Sequence, residues 1–184
     1  TDLLEHPEKA EGANNIVIVG GGVVGCETAH WLANEYGKNV TVLEMLPHFM
    51  MGVCTANRGH LLHYLEKSGV RLYNCTKVKA FAKDGVYVEQ NQSQTVPDPY
   101  NTWQPLLPPN IPNPMEKAIK EEIVEKKIPA DLIVLAMGGK ADETFFFEAG
   151  EEHLAKEIYN IGDSSRAGRV LEAVRGAYHL AVRI

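Results

Sequence analysis

Apolar residues are arranged in two ways along this chain: in short unbroken runs and in longer stretches with helical spacing. The runs are rich in Val, Ile and Leu and carry apolar residues on both faces, as strands buried inside a parallel sheet require. They lie at residues 16–19, 39–43, 70–73, 132–137 and 158–161. We expect each of these runs to form a strand.

Helical periodicity appears in the segments between these runs. Residues 23–35 and 58–67 place their small and apolar side chains at intervals of three and four, which puts them on one helical face. Residues 170–184 also fit a helix, whereas the first fifteen residues are polar and are expected to be irregular. Strand, helix and strand follow in order within residues 16–43, which predicts a βαβ unit and therefore an α/β fold with a parallel sheet.

A second kind of β-structure follows the third run. Residues 77–82 and 86–89 flank a Lys-Asp-Gly turn, which indicates a hairpin because Gly adopts positive φ cheaply. Residues 115–127 fit a helix, while residues 121–128 fit a charged edge strand equally well. The sequence leaves both alternatives open and predicts an antiparallel β-meander excursion from the parallel sheet.

Residues 91–114 form a proline-rich segment that contains seven of the ten prolines. A loop of this length inside a compact domain is either functional or disordered. Because the segment also contains Tyr100 and Trp103, we expect it to pack over another part of the molecule.

The composition is that of an ordinary globular protein: 184 residues, 45% hydrophobic and 23% charged. No apolar run approaches the ~20 residues of a membrane helix. The net charge of −6 argues against nucleic acid and anionic lipid as partners. Three cysteines without a C-x-x-C pair fit free thiols, and we expect a cytoplasmic protein. The absence of an initiator Met and of a helix stop at the end suggests a piece of a longer protein.

The motif that carries chemistry is Gly20-x-Gly22-x-x-Gly25, between the first predicted strand and the first predicted helix. In a dinucleotide-binding turn the first Gly permits the tight turn, the second admits the pyrophosphate, and the third lets helix and strand pack closely. The helix N-terminus would attract the phosphates. The alternative is a glycine-rich turn without a ligand.

Glu44 supplies the second signal, nineteen residues after Gly25 at the end of the next predicted strand. An acidic residue there accepts hydrogen bonds from a ribose 2′-OH. The alternative is a surface carboxylate. Residues 39–57 contain no Lys or Arg to bind a 2′-phosphate, which predicts NADH rather than NADPH.

Three ordered motifs resemble the FAD-dependent pyridine nucleotide-disulfide oxidoreductase superfamily. The segment 17–27 is similar to its nicotinamide-nucleotide motif, 131–138 to its late D-x-V-x-x-A-x-G strand, and 159–163 to its flavin-contacting G-D segment. The stretch 169–178 resembles most closely the old-yellow-enzyme-type branch: NADH:flavin oxidoreductases, 2,4-dienoyl-CoA reductases and 2-enoate reductases. The resemblance implies a Rossmann-like FAD/NAD(P)-binding domain.

The resemblance also implies roles for individual residues. The three motif glycines would contact the NADH pyrophosphate, Glu44 the adenosine ribose, and Glu27 would lie near the nicotinamide. Gly138 would edge the nucleotide cleft, and Asp163 would bind the flavin if one is held there. The full implied set of cofactor-binding residues is Gly20, Gly21, Gly22, Val24, Gly25, Glu27, Glu44, Met45, Gly138 and Asp163. No catalytic residue and no metal ligand is predicted.

The resemblance predicts the domain organisation as well. Residues 1–14 would be a linker from a missing FAD half-domain, 15–156 the NADH-binding domain with its insertion at 91–114, and 157–184 the last part of the FAD domain. Members of the branch carry an N-terminal barrel with FMN and an iron–sulfur cluster. The partners are thus NADH and the parent's FAD and barrel domains.

This chain has a single glycine-rich unit, so its FAD site would be incomplete. We expect it to bind NADH and to be inactive alone, within a parent that reduces an enoyl- or dienoyl-type substrate. Two alternatives are a small stand-alone NAD-dependent dehydrogenase and a non-catalytic NADH-sensing module.

Other signals are weaker. The pair Tyr73-x-x-x-Lys77 matches short-chain dehydrogenases, but it falls on a predicted strand, where this offset does not suit the chemistry. The pair His60-x-x-His63 with Cys54 fits surface residues better than a metal site. We interpret Cys26 as a small packing residue.

Overall fold

The chain forms two compact units, one ending at Met137 and the other spanning Gly138–Ile184. This computed structural model describes residues 2–103, 107, 111 and 113–184. Within these ranges no helix has the length and apolar character needed to cross a membrane. The helices are α1 Asp2–Glu5, α2 Val23–Tyr36, α3 Thr55–Lys67, α4 Thr144–Glu151 and α5 Val170–Ala181.

Seven strands make two sheets in the first unit. A parallel sheet has the order β3-β2-β1-β7, and an antiparallel meander has the order β4-β5-β6. The strands are β1 Asn15–Val19, β2 Asn39–Leu43, β3 Arg71–Tyr73, β4 Thr76–Ala82, β5 Gly85–Asn91, β6 Ile123–Pro129 and β7 Leu132–Leu135. This architecture confirms the predicted α/β class and the antiparallel excursion.

The core lies on both faces of the parallel sheet. Ile18 of β1 points to the helix side, where it packs in one cluster with Leu32 of α2 and Leu62 of α3. Its neighbour Val19 points to the other side, where it packs in a cluster with Val88 of the meander. Successive strand residues alternate between faces, so two covered faces explain why residues 16–19 of β1 and 132–135 of β7 are unbroken apolar runs.

Local signals explain where the elements begin and end. Helix α2 ends at Tyr36 because Gly37 adopts a left-handed φ of 61° and its N–H donates to the Leu32 carbonyl. The turn between β4 and β5 needs Gly85, whose φ is 154° and where a Cβ would lie 2.3 Å from the Ile128 carbonyl oxygen. The predicted hairpin is therefore confirmed.

The meander settles the ambiguity at residues 115–127. Residues Ile123–Pro129 form β6, an edge strand paired antiparallel with β5, so the strand alternative is correct and the helix is not formed. Glu125 and Lys127 of this strand are exposed at the edge, and such charges protect an edge strand from further pairing.

Two predictions about elements are wrong. Residues 158–161 form no strand in the described structure; they lead as a loop into a 3₁₀ turn at Gly162–Ser164. Strand formation needs a neighbouring strand to satisfy its backbone, and within the described second unit none lies beside this segment. The N-terminal residues, expected to be irregular, form α1 and a 3₁₀ turn at Pro7–Ala10 with Ala10 buried.

The second unit holds α4, α5 and the 3₁₀ turn. This unit begins at Gly138, whereas the predicted boundary between the NADH-binding domain and the FAD domain lies between residues 156 and 157. The domain assignment stays a prediction. Helix α4 contains the Phe145, Phe146 and Phe147 run, and Phe145 and Phe147 are largely exposed.

Within the described part of the proline-rich segment, Tyr100 packs against another part of the first unit, as predicted for this residue. The Tyr100 hydroxyl donates to the Val70 carbonyl at 2.6 Å and accepts from the Leu72 N–H at 3.2 Å, so it covers the outer edge of β3. Trp103, in contrast, is 60% exposed. Of the segment's prolines, those at 105, 108, 109 and 112 lie outside the described residues.

Candidate functional site

The glycine-rich turn between β1 and α2 is built by close backbone approaches. Gly20 has a φ of 114°, and a Cβ there would lie 2.3 Å from the Ala136 carbonyl oxygen of the neighbouring chain segment. A Cβ on Gly25 would lie 2.0 Å from the Gly20 carbonyl oxygen. Both distances are far below van der Waals contact, so these two glycines are required for α2 to begin this close to the sheet.

Gly22 differs from its neighbours because packing does not require it. It is the N-cap of α2, it is exposed, and a Cβ built there meets no described atom within 4 Å. A glycine has no side chain to cap the helix, so the positive end of the α2 dipole lies at an exposed residue without a side-chain cap. An anionic group fits this cradle.

Glu44 stands beside this turn at the carboxyl end of β2. One carboxylate oxygen accepts from the Gly21 N–H at 2.8 Å, and the other accepts from the Leu46 N–H at 2.8 Å. The half-buried side chain is thus held in one orientation. Because a carboxylate has about four acceptor positions, the two that remain can accept hydrogen bonds from hydroxyl groups.

A loop of residues 44–54 joins β2 to α3, and we call it the β2–α3 loop. Met50 in this loop has a left-handed φ of 52°, and its N–H donates to the Gly21 carbonyl at 2.8 Å. The Phe49 ring is fully buried, and a Cβ on Gly21 would lie 2.4 Å from it. The loop and the glycine-rich turn therefore pack as one body, in which Met45 stands 67% exposed.

Arg58 is a buried polar residue that supports this loop, and the sequence analysis did not identify it. The Arg58 guanidinium is 3% exposed and donates from Nε to the Phe49 carbonyl at 2.9 Å and from Nη1 to the Asn101 carbonyl at 2.9 Å. Burial lowers the pKa of this guanidinium. Arg58 is the first cation after Glu44 in the sequence, but nothing in its local pattern indicates that its charge is directed to backbone carbonyls.

The predicted site residues fall into both units. Those from Gly20 to Met45 lie in the first unit, around the N-terminus of α2, with Val24 and Glu27 exposed on the first turns of that helix. Gly138 and Asp163 belong to the second unit. Gly138 has a φ of 85°, and one Asp163 carboxylate oxygen accepts from the Gly168 N–H at 3.2 Å.

The second unit has a cleft of its own, with a volume of about 750 Å³. It lies between the 3₁₀ turn and α5, and its lining residues include Gly162, Ser165 and Arg169 but not Asp163.

His60, His63 and Cys54 are the candidate metal ligands that the sequence offers. Across the part of the chain that the structure describes, no cluster of three His, Cys, Asp or Glu side chains is arranged to hold a metal ion. His60 and His63 instead pack edge-on against Tyr64, with ring centroids 4.6 and 5.7 Å away. Cys26 is buried in the core as predicted, and this burial raises the pKa of its thiol to about 12.

Comparison with known proteins defines the class. Residues 1–161 match the family model described as pyridine nucleotide-disulphide oxidoreductase, so the chain belongs to this oxidoreductase family. The family resemblance predicted from the three motifs is therefore confirmed, as is the Rossmann-like fold.

Individual relatives extend the match. The chain is 26% identical, over its whole length, to an NADH oxidase of Thermoanaerobacter brockii, and 27% identical over 96% of its length to a bilirubin reductase of Mediterraneibacter gnavus. It spans only 23% and 22% of those two proteins.

Two solved structures are similar to this chain along its whole length. A 2-naphthoyl-CoA reductase in complex with 2-naphthoyl-CoA matches all of this chain with a TM-score of 0.71 and 25% identity, over 23% of its own length. A histamine dehydrogenase from Rhizobium sp. 4-9 matches all of it with a TM-score of 0.70 and 16% identity, over 24% of its own length, which is a likeness of fold.

Proposed function

We propose that the first unit binds NADH and positions it for hydride transfer to FAD, as the nucleotide domain of a flavin-dependent oxidoreductase. The observation that carries this proposal is the open, uncapped N-terminus of α2 beside the fixed Glu44 carboxylate. A glycine that packing does not require stands at the point where a pyrophosphate would approach.

Each residue of the turn has a role in this proposal. The first-turn N–H groups of α2 hold the pyrophosphate, and Gly22 leaves room for it. The acceptor positions left on Glu44 receive the adenosine ribose hydroxyls. Val24 and Met45 expose apolar side chains that border the nucleotide, and Glu27 lies toward the nicotinamide. The bound dihydronicotinamide supplies the hydride.

NADH is the preferred cofactor in this proposal. A 2′-phosphate would meet the Glu44 carboxylate, and like charges repel. Arg58, the first cation after Glu44 in the sequence, donates to the Phe49 and Asn101 carbonyls and is buried away from this position. The local charge thus favours a ribose without a phosphate.

In this proposal, the complete FAD site and the domain that reduces the substrate belong to a longer protein. The described residues contain a single glycine-rich strand–turn–helix, which does not fit a complete FAD site. We assign Gly138 to the edge of the nucleotide cleft and Asp163 to a flavin contact that other domains complete. The parent would also carry FMN and an iron–sulfur cluster and reduce an enoyl-type substrate, and the likeness to a 2-naphthoyl-CoA reductase supports this class.

A titration tests the proposal directly. NADH and NADPH are each titrated into the 184-residue chain while nicotinamide fluorescence is followed, and the absorption spectrum of the purified chain is recorded. We expect NADH to bind at least about tenfold more tightly than NADPH, an affinity difference of about 1.4 kcal/mol. We expect no flavin absorption and no turnover. Equal binding of NADPH overturns the cofactor preference, and NADH turnover with carbonyl substrates overturns the domain assignment in favour of a small dehydrogenase.

A further inference from the structure

The β2–α3 loop is connected to the proline-rich segment by two separate polar bridges. Both bridges are made by residues that the proposed nucleotide site does not use. Both end within residues 91–103, the first part of the proline-rich segment, all of which the structure describes.

Asn74 makes the first bridge. This residue is 5% exposed, and its side-chain Nδ2 donates to the Pro47 carbonyl at 2.7 Å and to the Pro97 carbonyl at 2.8 Å. Pro47 belongs to the β2–α3 loop and Pro97 to the proline-rich segment. A primary amide has two N–H donors, and Asn74 donates one to each of these two segments.

Arg58 makes the second bridge. Its Nε donates to Phe49 of the β2–α3 loop, and its Nη1 donates to Asn101 of the proline-rich segment, each at 2.9 Å. The planar guanidinium presents donors in diverging directions, which a lysine ammonium at the end of a flexible stem does not reproduce. Burying this charge is costly, so its placement points to a role in fixing the two carbonyls.

The loop held in this way is the one that shapes the glycine-rich turn. The Met50 N–H bonds to the Gly21 carbonyl, and the Glu44 carboxylate bonds to the Gly21 N–H. Met50 keeps a left-handed φ of 52°, a conformation that costs free energy in a residue other than Gly and persists only where surrounding contacts enforce it.

We propose that Asn74 and Arg58 are positioning residues through which the docked proline-rich segment holds the β2–α3 loop, and hence Gly21 and Glu44, in the nucleotide-binding geometry. The proposal rests on the proposed function for its ligand, NADH. It assigns the segment a role in binding rather than in covering the sheet edge alone.

The experiment compares three variants of the 184-residue chain. Asn74→Ala removes the first bridge, and Arg58→Lys keeps the positive charge but loses the diverging donors. Tyr100→Phe is the matched control, because it removes the two hydrogen bonds that tie the same segment to the edge of β3 and touches neither bridge. NADH affinity, thermal unfolding and hydrogen exchange of the Met50 amide are measured for each.

We expect all three variants to unfold at lower temperature, since each loses buried hydrogen bonds. NADH binding should weaken about tenfold in Asn74→Ala and Arg58→Lys and stay within about twofold in Tyr100→Phe. Exchange of the Met50 amide should accelerate in the two bridge variants and not in the control.

The outcomes separate this inference from the proposed function. Wild-type exchange rates at Met50 in both bridge variants overturn the positioning role, whether or not NADH binds. Binding by Arg58→Lys at the wild-type level overturns it too, because charge alone would then suffice. Equal weakening in Tyr100→Phe overturns it by showing that loss of stability explains the effect. Failure of the wild-type chain to bind NADH counts against the proposed function, and the exchange measurement still decides the role of the two bridges.

Discussion

The Glu44 carboxylate accepts a hydrogen bond of 2.8 Å from the Gly21 backbone N–H. This contact joins the carboxyl end of β2 to the glycine-rich turn that follows β1, across 23 positions of sequence. It places a fixed negative charge next to the N-terminus of α2. The two parts of the proposed nucleotide site, the Glu44 carboxylate and the glycine-rich turn, are therefore positioned by one another.

Substitution of Gly22 tests the open cradle. A Cβ at Gly22 meets no described atom of the protein, so Gly22→Ala should fold and lose about 1 kcal/mol or less in unfolding free energy, as expected for Ala at an N-cap. The added methyl occupies the approach of the pyrophosphate, and NADH affinity should fall by about tenfold or more.

Gly12→Ala is the control for this variant, because a Cβ at Gly12 also meets nothing within 4 Å and Gly12 lies outside the turn. Fluorescence titration and thermal unfolding of both variants give the comparison. Unchanged NADH affinity in Gly22→Ala would mean that the pyrophosphate does not approach there.

Glu44→Gln tests the carboxylate. One backbone N–H, of Gly21 or Leu46, would face the amide NH2 and lose its acceptor, and the other would bond to a neutral oxygen in place of a charged one. Hydrogen bonds to charged groups contribute about 1.5–3 kcal/mol. We expect a loss of about 1–2 kcal/mol in unfolding free energy, since the site is half-buried. NADH should bind more weakly, and the preference for NADH over NADPH should narrow because the repelling charge is gone.

Glu35→Gln serves as the control, because Glu35 is an exposed carboxylate near the end of α2. This variant removes one negative charge at a position away from the glycine-rich turn. Urea unfolding and parallel titrations with both cofactors measure the effects. If the preference for NADH over NADPH is unchanged in Glu44→Gln, another residue must distinguish the ribose 2′-OH from a 2′-phosphate.

Cysteine labelling tests the burial of Cys26. Its pKa is raised to about 12, first by burial, so the thiol stays protonated and unreactive in the folded chain at pH 8, while the exposed Cys54 should react readily. Mass spectrometry after a timed pulse of maleimide identifies the labelled positions. Rapid labelling of Cys26 without denaturant contradicts the expectation.

The raised pKa of Cys26 also has a consequence for alkaline stability. The unfolded thiol ionises near its ordinary pKa of 9.0, whereas the folded one does so near 12. Stability due to the neutral thiol is therefore complete below pH 9 and is lost as the pH rises from 9 towards 12. Urea unfolding of wild type and Cys26→Ala at pH 8 and pH 10.5 should show a larger loss in the wild type than in the variant, because Cys75 and Tyr100 also have raised pKa values and contribute to the loss in both chains.

Asp131 gives a prediction at acid pH. Its carboxylate accepts from the backbone N–H groups of Asn15 at 2.8 Å and Asn14 at 3.0 Å, and these bonds hold the pKa of Asp131 below its ordinary value. The folded-state pKa is lowered, so this stabilisation is present above the ordinary pKa of 3.8 and is lost as the pH falls through the folded value.

Asp131→Asn should therefore lower the unfolding temperature at pH 7 and make little difference near pH 2. Calorimetry at the two pH values measures the gap between variant and wild type. A gap that is equally large at both values would contradict the role given to the ionised carboxylate.

Much of the fold was predictable because its signals are local. The spacing of Gly20, Gly22 and Gly25 between an apolar run and a helical stretch predicted the β1–α2 turn, and the run ending at Glu44 predicted β2. Periodicity depends on residues two to four positions apart, so the sequence expresses it directly. The same holds for the hairpin at Gly85.

Other elements depended on partners that periodicity does not specify. Residues 115–127 carry apolar side chains compatible with a helix, and pairing with β5 decides that Ile123–Pro129 is a strand. Residues 158–161 look like a strand by composition, yet the described second unit offers them no neighbouring strand.

The family, the α/β class, the glycine-rich turn and the acidic residue after β2 could all be predicted from the amino-acid sequence, because each depends on residue types at short spacings. The contacts that support the turn became visible only in the folded chain. Asn74 meets Pro97 across 23 positions and Arg58 meets Asn101 across 43. Contacts at such separations depend on how the chain folds back on itself. The residue type alone does not show whether an Arg or Asn side chain is buried or exposed.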